Sequence, residues 1–212
     1  MIEIDIVSDT ICPWCYVGKR RIERALAGFD ADEVRIRWHP FQLNPGLPPE
    51  GMDRAEYVSS KFGGPDAARA VYDRIREAGA ADGIAFAFER MPRTPNTFAS
   101  HRLVHFAARE GLQDEAVEAL FHAVFVAGRD IGDFETLVDI GAECGIDPVA
   151  LAEYLASTEE VEALRAVEER SRRMGVTGVP FFIIGGRYAV TGAQDPGVLR
   201  EVLERVAEES VA

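Results

Sequence analysis

The stretch "SDTICPWCYVGKRRIERAL", residues 8–26, places Cys12 and Cys15 two residues apart at the start of a predicted helix. Pro13 stands where the first helical residue would be, a position that tolerates its missing N–H. Residues three apart on a helix share a face, so the two sulfurs can reach disulfide distance. Unpaired N–H groups and the helix dipole at this position favour a thiolate, and thiols at helix N-termini in general have pKa values lowered to about 3.5–7.5. The pattern predicts that Cys12 attacks a disulfide and that Cys15 resolves the mixed disulfide.

Two other interpretations of the cysteine pair are weaker. A structural zinc site usually draws four ligands as two close pairs, and the only other cysteine, Cys144, stands alone. A structural disulfide between Cys12 and Cys15 would close a very small loop and stabilise little.

His101 and His105 have the spacing of a two-histidine metal pair. No third ligand is evident, so no metal site is predicted.

Composition limits the partners and the compartment. The 212 residues are 47% hydrophobic and carry a net charge of -13, which argues against a nucleic acid or an anionic membrane as the main partner. The N-terminal stretch "MIEIDIVSD" has no basic region and no apolar region of a signal peptide, and the apolar runs are short. We therefore expect a cytoplasmic protein, and a reducing compartment favours a catalytic cysteine pair over a structural disulfide.

Hydrophobic periodicity predicts a mixed α/β order of elements. Alternation predicts strands over 2–7 and 33–43 on either side of the helix that follows Pro13. A long helical stretch then runs from about Asp53 to Gly175, and 84–89 within it could be extended. A hairpin and a last helix, capped by Asp195, end the chain. The helical segments are predicted at 53–61, 65–81, 96–110, 113–127, 133–143, 147–156 and 159–174, and the hairpin strands at 179–184 and 187–190.

A second motif, "GVTGVPFFIIGGRYAVTGAQ" over 175–194, opens a strand with proline. Proline cannot donate to a β-ladder. A cis peptide bond before Pro180, with the backbone unpaired, would let Val179 offer its N–H and C=O to an extended substrate. The alternative is a trans proline that merely starts an edge strand. The cysteine pair at the other end of the chain favours the functional interpretation.

Together these two motifs resemble the DsbA-like branch of the thioredoxin superfamily, and within it the FrnE-like subgroup. The likeness covers essentially the whole chain. It implies an α/β fold, namely a thioredoxin-like fold with a large inserted all-helical domain. The thioredoxin-like core would comprise 1–52 and 175–212, and the inserted helical domain 53–174.

The resemblance also implies roles and a reaction. Cys12 would be the nucleophilic thiol, Cys15 its resolving partner and Pro180 the cis-proline that faces them. The implied activity is thiol–disulfide exchange on protein or small-molecule disulfides, with no required cofactor. The direction of exchange and the oligomeric state are not implied.

A glutathione-dependent alternative stays open. Kappa-class glutathione transferases and 2-hydroxychromene-2-carboxylate isomerases share the fold, and such an enzyme would act on a small aromatic or polyketide-like substrate. Asp195 occupies the place where those relatives hold the γ-glutamyl end of glutathione, although an N-cap is the simpler role for it. Those relatives often have serine in place of the first cysteine of the pair. This chain has cysteine at both 12 and 15, which favours dithiol chemistry over glutathione conjugation. A third possibility is a non-catalytic binding module.

Several further residues are candidates near the thiols. Asp5, which faces away from Ile2, Ile4 and Ile6 on the first strand, is a candidate proton acceptor for Cys15, with Asp9 the second choice; the alternatives are an exposed strand acid and a turn former. Candidate substrate contacts are Pro13, Trp14, Val179, Asn96, His101 and Asp195. The basic cluster Lys19, Arg20, Arg21 and Arg24 is expected to form a solvated helix face.

Overall fold

The computed structural model describes residues 1–211, with side chains through Glu209. In these residues the chain forms two compact units, one of 1–43 with the described residues from 162 onward and one of 44–161. The elements in chain order are β1 (Ile2–Ser8), α1 (Pro13–Ala25), β2 (Val34–Pro40), β3 (Met52–Asp53), α2 (Arg54–Phe62), α3 (Pro65–Ala81), β4 (Arg93–Thr94), α4 (Phe98–Arg109), α5 (Gln113–His122), α6 (Phe134–Glu143), α7 (Pro148–Ala156), α8 (Val161–Arg173), β5 (Phe181–Ile184), β6 (Tyr188–Thr191) and α9 (Pro196–Val211).

The first unit is built on a four-stranded sheet with the strand order β2-β1-β5-β6. β1 pairs with β2 in parallel, whereas β5 is antiparallel to both β1 and β6. Ile6 lies opposite Phe182 and Ile4 opposite Ile184, and all four side chains are fully buried. Side chains two residues apart on a strand share a face, so these four form one apolar face. α1 and α9 contact each other in the same unit.

The opposite face of the sheet carries a second apolar cluster. Val7, Phe41 and Val176 are buried together, with Val179 and Phe181 packed against them. β1 therefore contributes to both faces, as its burial pattern requires. The thioredoxin-like α/β fold that the sequence predicts is confirmed, with its helical insertion.

The boundaries of the insertion differ from the expected 53–174. α8 belongs to the sheet unit because Glu168 Oε1 accepts the backbone N–H of Gln42 at 2.9 Å, and the Arg172 guanidinium lies 4.1 Å from the ring centre of Phe41. At the other boundary, 44–52 belongs to the inserted unit, where the Leu47 carbonyl accepts a hydrogen bond from a side chain of that unit at 2.7 Å. The short pair β3–β4 lies in the same unit.

The inserted unit is mainly helical and has its own core. Its fully buried side chains come from α4 to α7 and include Leu103, Leu120, Phe121, Leu137, Ile140 and Leu151. Gly141 of α6 lies directly against Leu151 of α7, where a side chain would collide. This close approach of two helices explains a glycine inside a helical segment.

Two local predictions in the inserted unit need correction. The single helix predicted over 113–127 ends at His122 and continues as a π-helical turn, Ala123–Ala127, before Gly128 adopts a positive φ of 73°. The segment 84–89, which could have been extended, does not form a strand. Its alternating residues Ile84, Phe86 and Phe88 are nevertheless buried, and Phe88 begins a short 3-10 helix.

Candidate active site

The two cysteines lie at the beginning of α1, as the sequence predicts. Cys12 is the N-cap residue in an extended conformation, and Pro13 follows as the first helical residue. The Cys12 N–H donates to the Asp9 carbonyl at 3.0 Å, and the Cys15 N–H donates to the Cys12 carbonyl at 2.9 Å. Both cysteines are free thiols. The turn after β1 therefore delivers both sulfurs to one helix terminus.

Cys15 is the more deeply buried thiol. It is fully buried, whereas Cys12 is 4% exposed. Burial raises the pKa of Cys15 well above its usual value, and a hydrogen bond with Cys12 and the negative charge of Cys12 raise it further. Hydrogen bonds from the Ser8 hydroxyl and from the backbone of Asp9 act in the opposite direction. Two neighbouring sulfurs with these interactions do not both become thiolates.

The proline loop contacts the first cysteine. The peptide bond between Val179 and Pro180 is cis, and Cys12 Sγ lies 3.6 Å from the Val179 carbonyl oxygen, to which the thiol donates. The Pro180 carbonyl accepts the N–H of Gly192 at 2.8 Å, just after β6. Of the two backbone groups of Val179 that we expected to face a substrate, the carbonyl faces the Cys12 sulfur.

Gly18 is a site residue that sequence reasoning missed. It lies on α1, three residues after Cys15, and is buried. A Cβ atom on Gly18 would lie 2.9 Å from Cγ of Pro180 and 3.3 Å from Cζ of Phe182. The absence of a side chain therefore lets α1 approach the proline loop. A glycine inside an otherwise strong helical pattern was the available signal.

An open groove runs beside the proline loop in the sheet unit. Its volume is about 350 Å³, and it is formed by backbone and side chains of the loop before β5 and by the end of β6. The lining residues include Thr177, Gly178, Val179, Phe181, Thr191 and Gly192. Part of the Val179 surface thus borders a space large enough for a short extended segment.

Asp5 is held by Arg37 and His39 on the sheet. Its carboxylate accepts hydrogen bonds from Arg37 Nε at 2.9 Å, and its Oδ1 lies 2.7 Å from His39 Nε2. Burial alone would raise the pKa of Asp5, but the hydrogen bonds and charges of these two neighbours outweigh it and lower the pKa below 3.8. Asp5 also faces away from Ile4 and Ile6, as expected. A proton acceptor was expected to have a raised pKa, so the geometry favours a structural ion pair.

Asp9, the second candidate acceptor, is fully buried in the turn between β1 and α1. Its two carboxylate oxygens accept backbone N–H groups from Ile11 at 3.4 Å and from Leu43 at 2.7 Å. These bonds tie the turn that carries the cysteines to the chain that leaves β2. The turn-forming role is therefore visible in the structure.

The lowered pKa of Asp5 predicts a pH-dependent contribution to stability. A carboxyl whose folded pKa is lowered stabilises the fold above its unfolded pKa, and this stabilisation is lost as the pH falls through the folded value. We expect Asp5→Asn to lower the free energy of unfolding by about 1 kcal/mol at neutral pH, since the pair is only partly buried. The difference from wild type should vanish in acid, below the folded pKa.

Urea unfolding of both proteins across acidic and neutral pH measures this difference. Asp32→Asn, which changes an exposed aspartate of the same unit, serves as the control. A stability difference between wild type and Asp5→Asn that stays constant down to strongly acidic pH would contradict the proposed ion pair.

The basic residues of α1 are less exposed to solvent and more often paired than we expected. Lys19 is 2% exposed and forms an ion pair with Glu23, so the expectation of a solvated face is wrong at this position. Arg20 also donates to Glu23, at 3.0 Å. Arg21 donates to the carbonyl of Ala193 at 2.6 Å, which connects α1 to the segment before α9.

The remaining candidate contacts fall in different surroundings. Trp14 is 37% exposed at the start of α1, beside the half-buried Pro13. Asp195 accepts the N–H of Gly197 at 2.8 Å, which is the capping interaction expected of a helix N-cap. In the inserted unit, the Asn96 side chain donates to a backbone carbonyl and accepts a backbone N–H, and His101 is 5% exposed.

Among the residues that the structure describes, no three histidine, cysteine or acidic side chains are grouped so that they could hold a metal ion. Within residues 1–211, none of the helices has the length and apolar character required to span a bilayer.

The four-stranded sheet, its flanking helices and the helix-terminal dithiol define a thioredoxin-like fold with a candidate redox site. The family model for the DSBA-like thioredoxin domain matches residues 3–204, and the chain belongs to this family. The family assignment that the sequence motifs indicated is thereby confirmed.

Individual relatives agree with this assignment. The crystal structure of a probable DsbA oxidoreductase from Streptomyces coelicolor is 32% identical, covers 99% of this chain and 91% of that chain, and has a TM-score of 0.89. The Bacillus subtilis (strain 168) protein YwbO is 26% identical over 203 residues, which are 95% of this chain and 96% of that protein. A 2-hydroxychromene-2-carboxylate isomerase shares the fold, with 17% identity, a TM-score of 0.75 and 99% and 98% of the two chains covered.

Proposed function

We propose that the protein is a thiol–disulfide oxidoreductase of the FrnE-like type, which acts on protein or small-molecule disulfides through Cys12 and Cys15. One observation carries the proposal: the two free thiols interact with each other at the first turn of α1. Membership of the DSBA-like family supports redox chemistry at this position.

The proposed reaction has two exchange steps. In the first, the Cys12 thiolate attacks a substrate disulfide, forms a mixed disulfide and releases one substrate thiolate, which takes up a proton. In the second, the Cys15 sulfur attacks the Cys12 sulfur and loses its proton. The second substrate thiol leaves, and the Cys12–Cys15 disulfide remains. Two electrons have then passed from the protein to the substrate, and the reverse sequence oxidises a substrate dithiol.

Burial and hydrogen bonding support this assignment of roles. The fully buried Cys15, with its raised pKa, suits a thiol that reacts only with a neighbour. Cys12 lies beside the Val179 carbonyl and near the open groove, where the substrate chain could extend past the sulfur. The exposed indole of Trp14 would add contact area for the substrate.

A redox titration tests the proposed function. We expect the Cys12–Cys15 couple to titrate reversibly as a two-electron dithiol in glutathione buffers of varied ratio, read by mass after alkylation of free thiols. A midpoint of about −270 mV would indicate a reductase, and one of about −120 mV a strong oxidant. No internal disulfide at any buffer ratio would overturn the proposal.

Cys15→Ser provides a second test, because the variant lacks the resolving thiol. We expect it to accumulate a stable mixed disulfide on Cys12 when it is mixed with a disulfide substrate, while wild type releases both substrate thiols. Peptide mapping by mass spectrometry locates the adduct. Cys144→Ser, which leaves the pair intact, should behave as wild type.

The glutathione-dependent isomerase or transferase remains the alternative outcome of these experiments. It requires saturable binding of reduced glutathione and full turnover of a small aromatic substrate by Cys15→Ser. The capping bond of Asp195 is accounted for without glutathione. We also propose a cytoplasmic location and no required cofactor. Fractionation of cells and assay of the purified protein, with no additions except the thiol substrate, test both points.

A further inference from the structure

Cys15 presents a problem that the proposed reaction does not solve by itself. Its sulfur is fully buried, yet it must carry negative charge when it attacks the mixed disulfide. Burying a charge without hydrogen-bonding partners is costly. Asp5, the expected proton acceptor, is bound to Arg37 and His39. Some other group must stabilise the Cys15 thiolate.

The face of β1 that carries Ser8 is the face next to α1. Ile4, Ile6 and Ser8 alternate along the strand, so their side chains share one face. Phe182 lies opposite Ile6 and also faces Gly18 of α1, which puts α1 over this face. Ser8 is 5% exposed and is thus buried on the side where the helix carries its resolving thiol.

The Ser8 side chain acts to lower the pKa of Cys15, as expected of a hydroxyl buried on the β1 face that α1 covers. Its backbone is held separately, since its carbonyl accepts the N–H of Phe41 at 3.0 Å. The backbone of Ser8 is therefore positioned by the residue that follows β2, and its hydroxyl remains available to the sulfur. Asp5 lies on the other face of β1, and the carboxylate of Asp9 is bonded to the N–H groups of Ile11 and Leu43.

We propose that the Ser8 hydroxyl is a catalytic hydrogen-bond donor, which stabilises the Cys15 sulfur as it attacks the mixed disulfide on Cys12. The proposal rests on the proposed function and assigns a residue to its second step. Cys15 loses its proton, which ends on the departing substrate thiol. The sulfur–sulfur bond to the substrate breaks as the Cys12–Cys15 bond forms, and Ser8 keeps its own proton throughout.

The mixed-disulfide state makes this contact decisive. In that state Cys12 is bonded to the substrate and carries no negative charge, so its effect on Cys15 disappears. Burial still raises the pKa of Cys15 in that state, and the groups that lower it are the Ser8 hydroxyl and the backbone of Asp9. Among these two donors, only the hydroxyl can be removed by substitution.

Stopped-flow reaction with an equimolar amount of dithiobis(nitrobenzoate) separates the two steps in a Cys144→Ala background. Attack by Cys12 releases one coloured thiolate, and attack by Cys15 on the mixed disulfide releases the second. Cys15→Ser should lack the second phase, which assigns the phases. We expect Ser8→Ala to leave the first phase within about twofold and to slow the second about tenfold, the effect of one hydrogen bond to a charged atom. The pH midpoint of the second phase should rise.

Two variants complete the test. Ser8→Thr keeps the hydroxyl and should restore most of the rate of the second phase. Ser171→Ala removes another buried hydroxyl of the same unit, one that donates to the Val167 carbonyl, and should leave both phases unchanged. The pH profile is read against the titratable groups nearby in the chain, which are Cys12, Asp9 and the ion pair of Lys19, one helical turn after Cys15, with Glu23.

The outcomes separate the two proposals. An unchanged second phase in Ser8→Ala, or an equal slowing of both phases, would overturn the role of Ser8 and leave the oxidoreductase intact. Absence of a Cys12-dependent first phase in wild type would instead reject the oxidoreductase, and Ser8 with it. Selective slowing of the second phase, with rescue by threonine, supports the role.

Discussion

Cys12→Ser is expected to lower the rate of thiol–disulfide exchange at least about a thousandfold, because a hydroxyl is far less acidic than a thiol and no nucleophile replaces it. Cys12 begins α1, and its sulfur interacts with both Cys15 and the Val179 carbonyl. Cys15 is fully buried, more so than Cys12, and cannot substitute for it. Turnover of a disulfide substrate in the presence of excess reduced thiol measures the effect.

Three variants place the loss on Cys12. Without added reduced thiol, Cys15→Ser should attack the substrate disulfide once through Cys12 and stop as the mixed disulfide. Cys144→Ser should turn over at the wild-type rate. Thermal unfolding should be similar for all three, since each change replaces one sulfur by oxygen. Wild-type turnover by Cys12→Ser, or covalent adducts found on Cys144, would disprove the assigned role.

Gly18→Val should destabilise the fold by about 3 kcal/mol, the upper end of the usual cost of overpacking a closely packed contact. A Cβ atom alone would lie 2.9 Å from Pro180, and valine adds two further methyl groups. The gain in helix propensity over glycine, about 0.5 kcal/mol, is too small to offset the collision. The variant also pushes on the loop that carries the Val179 carbonyl. Urea unfolding gives the stability difference.

Ala166→Val is the matched control for this substitution, since Ala166 is an exposed residue of α8 in the same unit. It should change stability by no more than about 0.5 kcal/mol. Any surviving folded Gly18→Val protein should react more slowly through Cys12 in the first phase of the thiol assay. Equal stability of the two valine variants would show that α1 does not rest on Pro180 as closely as the structure indicates.

Local patterns predicted most elements of the sheet unit. Alternation along β1, a proline after the N-cap of α1 and the glycine pair between β5 and β6 each depend on a few adjacent residues. The same is true of Cys12 and Cys15, whose spacing on a helix determines that they meet. The cis form of the bond before Pro180 was also expected from the motif.

Local patterns failed where the partner was remote in sequence. Nothing near Ser8 indicates that its hydroxyl reaches Cys15, and nothing near Gly18 names Pro180 as its neighbour. The burial of Lys19 and the ion pair of Asp5 with Arg37 and His39 likewise depend on side chains brought together by folding. The observed boundary between the units differs from the predicted one for the same reason, because α8 contacts Phe41 and Gln42.

The sequence by itself determined the class of fold and the two sulfurs, since helix capping, strand alternation and cysteine spacing are short-range properties of the chain. Tertiary structure alone decided what surrounds those sulfurs: which hydroxyl reaches Cys15, which carbonyl faces Cys12 and which acid is already neutralised. The physical reason is that the pKa of a buried group depends on distances of a few ångströms between segments far apart in the chain, and only the folded packing sets those distances.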